Sequence, residues 1–159
     1  KVLIYIIIMN DNSILTNIKE IINIDKRIDY DTYFMSIALL ISSRSPSKKL
    51  KVGSIIVNNN RILSSGYNGF PEKTPHVSIH RDNHEINTIH SEINSICDAA
   101  KRGININNST IYITHYPCLN CTKSIISAGI KKIIYLYYYK NDDVVSILLL
   151  NSGIQIIKI

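Results

Sequence analysis

The sequence predicts a three-layer α/β/α domain, in which helices cover both faces of a mixed sheet of about five strands. Two segments, Val52–Val57 and Arg61–Ser65, have the composition of strands and flank three asparagines at 58–60, which are typical of a hairpin turn. A helical segment precedes this hairpin, and helical and extended segments alternate three times after it. Hairpin strands pair antiparallel and strands joined through a helix pair parallel, so this order favours a mixed sheet.

The first helix is predicted to begin at Asp31, a suitable N-cap, and to end near Arg44, before Ser45-Pro46. A loop from Gly66 to about Thr88 follows the hairpin, and a loop of this length inside a compact domain is often functional.

The later helices and strands are predicted from apolar periodicity and from the glycines at 103, 129 and 153 that end each helix. The helices are His90–Arg102, Cys118–Ala128 and Asp142–Leu150, and the strands are Thr110–Thr114, Ile133–Leu136 and Ile154–Ile157. Cys97 is predicted to be a buried helix residue, as free cysteines often are.

Residues 1–28 are assigned to an N-terminal extension of undefined role, and residues 29–159 to the functional domain. Within the extension, Val2–Ile8 is predicted as a strand and Ile14–Ile24 as a helix. The apolar run at the start is far shorter than the roughly 20 residues that span a bilayer, and it lacks the features of a signal peptide. We therefore expect no membrane partner.

Composition points to a folded domain with an anionic partner. Hydrophobic residues make up 45% of the 159 residues, which argues against disorder. The net charge of +6 suits a nucleotide phosphate or a nucleic acid, and it equally suits a solvated basic surface. The basic residues are scattered apart from the run at 48–51, so no nucleic-acid partner is expected. We interpret the abundance of Ile and Asn as the codon bias of an AT-rich genome, such as that of a large DNA virus.

The chain has three cysteines, an odd number that argues against a disulfide scaffold and for a reducing compartment. We therefore expect a cytoplasmic location, in the host if the source is viral. Two of them form the C-x-x-C pair Cys118 and Cys121, which is also the pattern of a redox pair. The redox interpretation leaves His90-Ser91-Glu92, upstream, without a role.

The residues that best explain both motifs together are His90, Cys118 and Cys121 as zinc ligands. Structural zinc sites usually close with four protein ligands, whereas catalytic sites use three and leave one position open. Both helices that carry these ligands should begin at one edge of the sheet, where ligands bind in α/β folds. Glu92 lies two residues from His90 and is predicted to carry protons between a zinc-activated water and the substrate. Its alternative role is that of an ordinary carboxylate at a helix N-terminus.

From about Ile28 to the C-terminus, the chain resembles the deoxycytidylate (dCMP) deaminase family of the cytidine deaminase-like superfamily. The zinc motif carries the resemblance to the superfamily, and the run Gly66-Tyr67-Asn68-Gly69-Phe70-Pro71 carries the resemblance to dCMP deaminases. The motif usually reads His-Ala-Glu, and here Ser91 replaces the alanine, which we expect to be tolerated.

The resemblance implies a cytidine deaminase-like fold, one catalytic zinc ion and deamination of dCMP to dUMP for thymidylate synthesis. It implies that Asn68 hydrogen-bonds the sugar and that the Ser91 backbone N–H contacts the pyrimidine carbonyl. It further implies a homo-oligomer, commonly a hexamer, with dCTP and dTTP as effectors, Mg²⁺ accompanying the effector, and Gly66, Tyr67, Asn68 and Gly69 as an effector loop.

The phosphate-binding residues are the least defined part of the site. Arg44 and Lys51 are the preferred candidates, with Lys48 and Lys140 as further ones, because they lie in loops expected to border the pocket. Some relatives hold a second zinc through extra cysteines that this chain lacks. His76, His80 and His84 are alternative ligands for such a metal, or else solvent-facing or phosphate-contacting residues.

Other functions remain open at this point. The chain is also compatible with a dual dCMP/dCTP deaminase, with a deaminase of free cytidine, guanine or tRNA adenosine, and with a zinc-stabilised regulatory protein without turnover. A polynucleotide substrate would need a clustered basic face, and a regulatory protein would not need Glu92.

Overall fold

A computed structural model describes residues 16–18, 26–82, 84–138 and 142–159, with the side chain of His84 outside this description. The first half of the domain contains helix α1 (Tyr30–Ser42), the hairpin β1 (Gly53–Asn58) and β2 (Arg61–Tyr67), and the short strands β3 (His80–Arg81) and β4 (His84–Glu85). The second half contains α2 (Ser91–Lys101), β5 (Thr110–His115), α3 (Leu119–Ser127), β6 (Lys132–Tyr137), α4 (Val144–Ser152) and β7 (Gln155–Lys158).

Five strands form one mixed sheet in the order β2-β1-β5-β6-β7. Strand β1 pairs antiparallel with both β2 and β5, whereas β5, β6 and β7 run parallel to one another through the helices that connect them. The predicted mixed, five-stranded sheet is therefore confirmed. The carboxyl end of β5 lies beside the start of β1, and this edge of the sheet carries the site described below.

Helices cover both faces of the sheet, because alternate strand residues point to opposite sides. On one face, Ile55 and Val57 of β1 pack against Phe34 of α1. On the other face, Ile56 belongs to a core cluster that includes Ala99 of α2, together with Ile125 of α3 and Val145 of α4. The predicted three-layer α/β/α arrangement is confirmed, with α1 on one side and the other three helices opposite.

The N-cap of α1 is Asp29, and the prediction of Asp31 was wrong. The Asp29 carboxylate accepts the backbone N–H of Thr32 across 2.9 Å, which satisfies one of the unpaired donors of the first turn. Asp31 lies inside the helix and accepts a hydrogen bond from the hydroxyl of Tyr112 across 2.6 Å. It therefore ties α1 to β5.

Cys97 is exposed, and the prediction that it is buried was wrong. The buried face of α2 consists of Ser91, Glu92, Ser95 and Ala99, which recur at helical spacing. Cys97 lies two positions after Ser95 and therefore falls on the outer side of the helix.

The long loop is more ordered than predicted. Strand β2 continues to Tyr67, so Gly66 and Tyr67 belong to the sheet, and β3 and β4 form a small hairpin within the remaining segment. Gly69 and Ile89 exchange two backbone hydrogen bonds that close the loop just before His90.

The predicted strand Val2–Ile8 lies outside the described residues. Of the predicted helix Ile14–Ile24, the structure describes residues 16–18, which are helical. No helix in the described part of the chain is long and apolar enough to cross a membrane.

Candidate active site

Three side chains from two helix N-termini meet at the edge of the sheet. His90 is the N-cap of α2, Cys118 is the N-cap of α3, and Cys121 lies in the first turn of α3. The Nδ1 atom of His90 lies 3.4 Å from the Sγ atoms of both cysteines. All three ligand atoms lie within 4.8 Å of one another, and no second such group of His, Cys, Asp and Glu occurs among the described residues.

These separations fit zinc. Zinc bonds of about 2.3 Å to sulfur and about 2.0–2.1 Å to nitrogen, at tetrahedral angles, separate the two ligand atoms by about 3.6 Å. The donor set of one imidazole and two thiols is also one that zinc prefers. The predicted ligands His90, Cys118 and Cys121 are brought together, and they leave one tetrahedral position for water or substrate.

The cysteine pair is electrostatically prepared to bind a cation. The side chain of Cys121 donates a hydrogen bond to the Cys118 sulfur and His90 adds another, which together lower the pKa of the Cys118 thiol to about 4. The hydrogen bond to Cys118 raises the pKa of Cys121, and a hydrogen bond to Cys118 also raises the pKa of His90. The lowered pKa favours the thiolate form of Cys118, and metal ligation requires the thiolate form of both cysteines.

Glu92 lies in the same pocket and is almost fully buried, with 4% of its surface exposed. Burial raises the pKa of its carboxyl group above the usual range, because a charge is poorly solvated there. The Ser91 hydroxyl donates a hydrogen bond to Oε2 of Glu92 across 3.0 Å. Burial thus favours the protonated form of the Glu92 carboxyl group, and a carboxyl group can both accept and release a proton.

Asn68 lines the pocket, as predicted for a substrate-binding residue, but its polar groups are used within the protein. Its Oδ1 accepts the N–H of Val52 across 2.8 Å, and its Nδ2 donates to the carbonyl of Leu50 across 2.9 Å. Its backbone N–H donates to Val52, and its carbonyl accepts the hydroxyl of Ser45. Four hydrogen bonds therefore fasten the segment 45–52 to Asn68.

The structure places the predicted cations differently from the sequence analysis. Arg44 and Lys51 are exposed and do not line the pocket, whereas Lys49 does. Lys48 is also exposed, and Lys140 lies outside the described residues. Sequence periodicity cannot select among neighbouring residues of an irregular segment, so Lys49 was missed although it lies in the basic run.

His115 and Glu85 also line the pocket, and the sequence analysis missed both. His115 ends β5, and its position three residues before Cys118, at the ligand-binding edge of the sheet, was a usable signal. Glu85 lies on β4, and no sequence pattern connected it to the site. The pKa of Glu85 is lowered, mainly because its carboxylate accepts a hydrogen bond from the backbone N–H of Asn87.

The residues predicted as an effector loop pack closely on α2. Gly66 and Tyr67 end β2, and the Tyr67 carbonyl accepts a hydrogen bond from the side chain of Asn94 in α2. Gly69 is buried and pairs with Ile89. These contacts give the segment a structural role next to the zinc ligands.

The histidines considered for a second metal do not converge in the described part of the structure. His76 is exposed and stacks on Phe70 with a centroid distance of 5.2 Å. His80 is exposed, with Nε2 3.9 Å from Oε2 of Glu85. The His84 side chain is not among the described groups. The alternative prediction of solvent-facing histidines fits His76 and His80.

Replacing the amino group of a pyrimidine ring by oxygen requires a water molecule whose pKa is lowered. It also requires a side chain that carries protons to the ring nitrogen and to the departing amino nitrogen. The metal ligands and Glu92 meet these two requirements within one three-layer α/β/α fold. The site is thus that of the zinc-dependent hydrolytic deaminases. Residues 28–137 match the family described as the cytidine and deoxycytidylate deaminase zinc-binding region, and the chain belongs to this family.

Individual relatives agree with this assignment. The chain is 37% identical over 135 residues to ComE operon protein 2 of Bacillus subtilis, which covers 82% of this chain and 71% of that protein. It is 30% identical over 161 residues to deoxycytidylate deaminase of Saccharomyces cerevisiae. This alignment covers 91% of this chain and 51% of the yeast protein, so the chain spans about half the length of that relative. The crystal structure of dCMP deaminase from cyanophage S-TIM5 in complex with dCMP and dUMP matches with a TM-score of 0.76 and 31% identity. This match covers 84% of this chain and 99% of the phage protein.

Proposed function

We propose that this protein catalyses the hydrolysis of dCMP to dUMP and ammonia with one bound zinc ion, which supplies dUMP for thymidylate synthesis. The observation that carries the proposal is the position of the buried Glu92 carboxyl in the same pocket as His90, whose Nδ1 lies 3.4 Å from both cysteine sulfurs. A zinc site that serves only stability has no need of a buried carboxyl group beside an open position. This argues against a regulatory protein without turnover.

The choice of dCMP is supported by relatives. The phage protein of similar fold was crystallised with dCMP and dUMP, and the yeast relative is named for the same reaction. Solved deaminases of tRNA adenosine share less sequence, at 21% identity and a TM-score of 0.51, and support the fold alone. The scattered basic charge of this chain further disfavours a polynucleotide substrate.

Zinc, when bound, lowers the pKa of a coordinated water to about 7 and so supplies a nucleophile at neutral pH. His90, Cys118 and Cys121 hold the ion. Glu92 takes up a proton at its carboxylate, delivers it to N3 of the ring, and carries a second proton to the departing amino nitrogen. The Ser91 hydroxyl, by donating to Oε2, holds this carboxylate in one orientation. The net reaction consumes one water and releases one ammonia.

Ser91 is buried at the start of α2 and lines the pocket. Its backbone N–H belongs to the first turn of the helix, where such groups lack a helical partner and bind acceptors of ligands. We propose that it donates to the pyrimidine carbonyl. We also propose that Asn68 contacts the sugar. Its side chain would then both hold the segment 45–52 in place and bind the substrate.

The test is ammonia release from dCMP, dCTP, deoxycytidine and CMP measured in parallel, with zinc determined on the same sample. Turnover confined to dCMP supports the proposal. Turnover of dCTP as well identifies a dual-specificity enzyme, which is the alternative within the same chemistry. No turnover of any of them by the zinc-loaded protein, with or without dCTP as activator, contradicts it.

Assembly and regulation form a further part of the proposal. We propose a homo-oligomer, with a hexamer as the expected size, in which dCTP, accompanied by Mg²⁺, and dTTP act as effectors at the segment Gly66–Gly69. Exposed apolar side chains on α4 support an interface, with Leu150 at 82% and Ile147 at 56% exposure. Light scattering of the purified protein measures the oligomer, and substrate saturation curves with each nucleotide measure the response.

The two cysteine ligands must stay reduced, which supports a cytoplasmic location.

A further inference from the structure

We propose that Asn94 is a positioning residue for the proposed reaction, because it fixes Asn68 relative to the helix turn that carries Glu92 and follows His90. The inference deepens the proposed function and rests on it, since it concerns how accurately the substrate is held against the reacting groups. Asn94 is not among the described residues that line the pocket, so it acts through other residues.

Asn94 makes two hydrogen bonds that reach in different directions. Its backbone N–H donates to the carbonyl of His90 across 2.9 Å at the start of α2. Its side-chain Nδ2 donates to the carbonyl of Tyr67 across 2.9 Å. Tyr67 ends β2 and directly precedes Asn68. Asn94 therefore joins the backbone of a metal ligand to the backbone beside a residue of the pocket wall.

Strand register makes the Tyr67 carbonyl available to Asn94. Among the described strands, β2 lies at the edge of the sheet, and Tyr67 stands opposite Gly53 of β1. The next residue, Asn68, donates its backbone N–H to Val52. Neighbouring residues of an antiparallel strand direct their backbone groups to opposite sides, so the Tyr67 carbonyl points away from β1. A carbonyl that is partly buried against α2 needs a donor from outside the sheet, and the Asn94 amide supplies it.

Asn68 is anchored on its other side as well. Gly69 and Ile89 exchange two backbone hydrogen bonds of 3.1 and 2.7 Å, and Ile89 directly precedes His90. The residues before and after Asn68 are thus both tied to the start of α2. Without the Asn94 amide, one anchor is left, and Asn68 can shift about it.

The position of Asn68 matters because it lines the pocket opposite the reacting groups and is the proposed contact of the sugar. A misplacement of about 1 Å between bound substrate and reacting groups can cost about 100-fold in rate or binding. His90 and Glu92 keep their places at the start of α2 when Asn94 is changed. We therefore expect affinity to suffer more than kcat.

The experiment uses the zinc-loaded full chain and changes Asn94 in two ways. Asn94→Ala should raise the KM for dCMP and the Kd for dUMP by about 3- to 10-fold, the loss of one hydrogen bond, and change kcat less than about twofold. Asn94→Asp keeps the shape but presents a carboxylate to the carbonyl, so it should lose at least as much affinity. Alanine and aspartate are both favourable near a helix N-terminus, so neither change weakens α2 itself.

A double-mutant cycle tests whether Asn94 acts through Asn68. In an Asn68→Ala protein, adding Asn94→Ala should change dUMP affinity by less than about twofold, because the route through Asn68 is already broken. An undiminished effect of Asn94→Ala in that background overturns the proposal.

Hydrogen exchange gives a second decision that needs neither turnover nor the Asn68→Ala protein to fold. The backbone N–H groups of Asn68 and Gly69 donate to Val52 and Ile89, and both should exchange faster in Asn94→Ala than in the parent protein. The N–H of Thr122, which donates to Cys118 in α3, should exchange at an unchanged rate. Unchanged exchange at Asn68 and Gly69 overturns the proposal.

Asn105→Ala is the matched control. Asn105 is exposed beyond the C-terminal end of α2, and its Oδ1 accepts the backbone N–H of Asn107 across 2.9 Å. The substitution removes the same kind of hydrogen bond far from the pocket and should leave KM and dUMP affinity unchanged. A loss of dUMP affinity equal to that of Asn94→Ala overturns the proposal, because general destabilisation then accounts for both.

The outcomes also separate the inference from the proposed function. If dCMP is not deaminated but exchange at Asn68 and Gly69 rises in Asn94→Ala, the link between Asn94 and Asn68 stands and the proposed substrate fails. If dCMP is deaminated and neither Asn94 variant changes KM, the proposed function stands and the positioning role is wrong.

Discussion

Gly66 of β2 lies directly against the backbone of Ser91 at the start of α2. A Cβ atom placed on Gly66 would come within 2.3 Å of the Ser91 carbonyl oxygen and 2.5 Å of the Ser95 backbone nitrogen. These are backbone atoms that cannot turn aside, so the strand and the helix can approach this closely only when residue 66 has no side chain. The contact sets the position of the helix turn that carries Glu92 and follows His90.

Gly66→Ala should therefore separate β2 from α2 and displace His90 and Glu92. We expect unfolding free energy to fall by about 1–3 kcal/mol, the usual cost of overpacking, and kcat to fall together with zinc affinity. Chemical denaturation and zinc titration measure the two effects. Ser65→Ala, at the exposed neighbouring position, is the control and should change neither. A Gly66→Ala protein with unchanged stability and activity would show that the contact can relax.

Glu92→Gln should abolish turnover while leaving the metal in place. The amide has nearly the same shape but cannot accept and release a proton, so kcat should fall by about 10²–10⁴-fold or more. Zinc content measured by atomic spectroscopy should stay at one ion per chain. Glu72→Gln makes the same chemical change on an exposed carboxylate and should leave kcat unchanged. Substantial activity in Glu92→Gln would remove Glu92 from its role as proton carrier.

Cys118→Ala should lose both zinc and stability. Zinc that binds only the folded chain adds about 4 kcal/mol to its unfolding free energy when free zinc exceeds Kd a thousandfold, and the variant forfeits this. Its melting temperature should be low and insensitive to chelator, whereas that of the parent protein should fall when chelator is added. Cys97→Ala is a matched control, because Cys97 is exposed on the outer side of α2. Stoichiometric zinc in Cys118→Ala would contradict the assignment of this ligand.

The parts of the fold that the sequence predicts well depend on local chemistry. The asparagine turn is one, since Asn59 and Asn60 both adopt positive φ angles of 48° and 58°, which asparagine tolerates. The zinc ligands are another, because His90 and Cys118 are helix N-caps and Cys121 lies in the first turn of α3, and such positions can be predicted from motif and spacing. For the four predicted helices that lie in the described residues after position 28, the ends deviate from the observed ones by only one or two residues for the same reason.

The features that sequence analysis missed depend on contacts between distant residues. By local chemistry alone, Asp29 and Asp31 are equally good N-caps. They differ in a distant contact, because the hydroxyl of Tyr112, far along the chain, donates a hydrogen bond to Asp31. Lys49 lines the pocket and Lys51 does not, and both belong to a segment that is hydrogen-bonded to Asn68, 16 or more residues away in the sequence. Such pairings follow from strand register, which a single sequence does not specify.

Asp98 should make stability depend on pH in the acidic range. Hydrogen bonds from the Arg102 guanidinium are the main cause that lowers the pKa of Asp98 below its ordinary value of 3.8, and the Ser64 hydroxyl adds another. Because the folded-state pKa is the lower one, the stabilisation is fully present above the ordinary value and is lost as pH falls through the folded-state value. Arg102 also donates to the Leu63 carbonyl, so the cluster joins the end of α2 to β2.

Asp98→Asn is therefore expected to lower the unfolding free energy by about 1 kcal/mol at pH 7, a modest value because the carboxylate is partly exposed and screened by water. The difference from the parent protein should shrink towards zero as pH falls below the ordinary pKa, and urea denaturation at a series of pH values measures it. Glu72→Gln breaks the exposed pair with Lys101 and should have no measurable effect at any of these pH values, since water screens such pairs. A difference between Asp98→Asn and the parent that stays constant down to the lowest pH would show that packing or neutral hydrogen bonding, and not the charge of Asp98, joins α2 to β2.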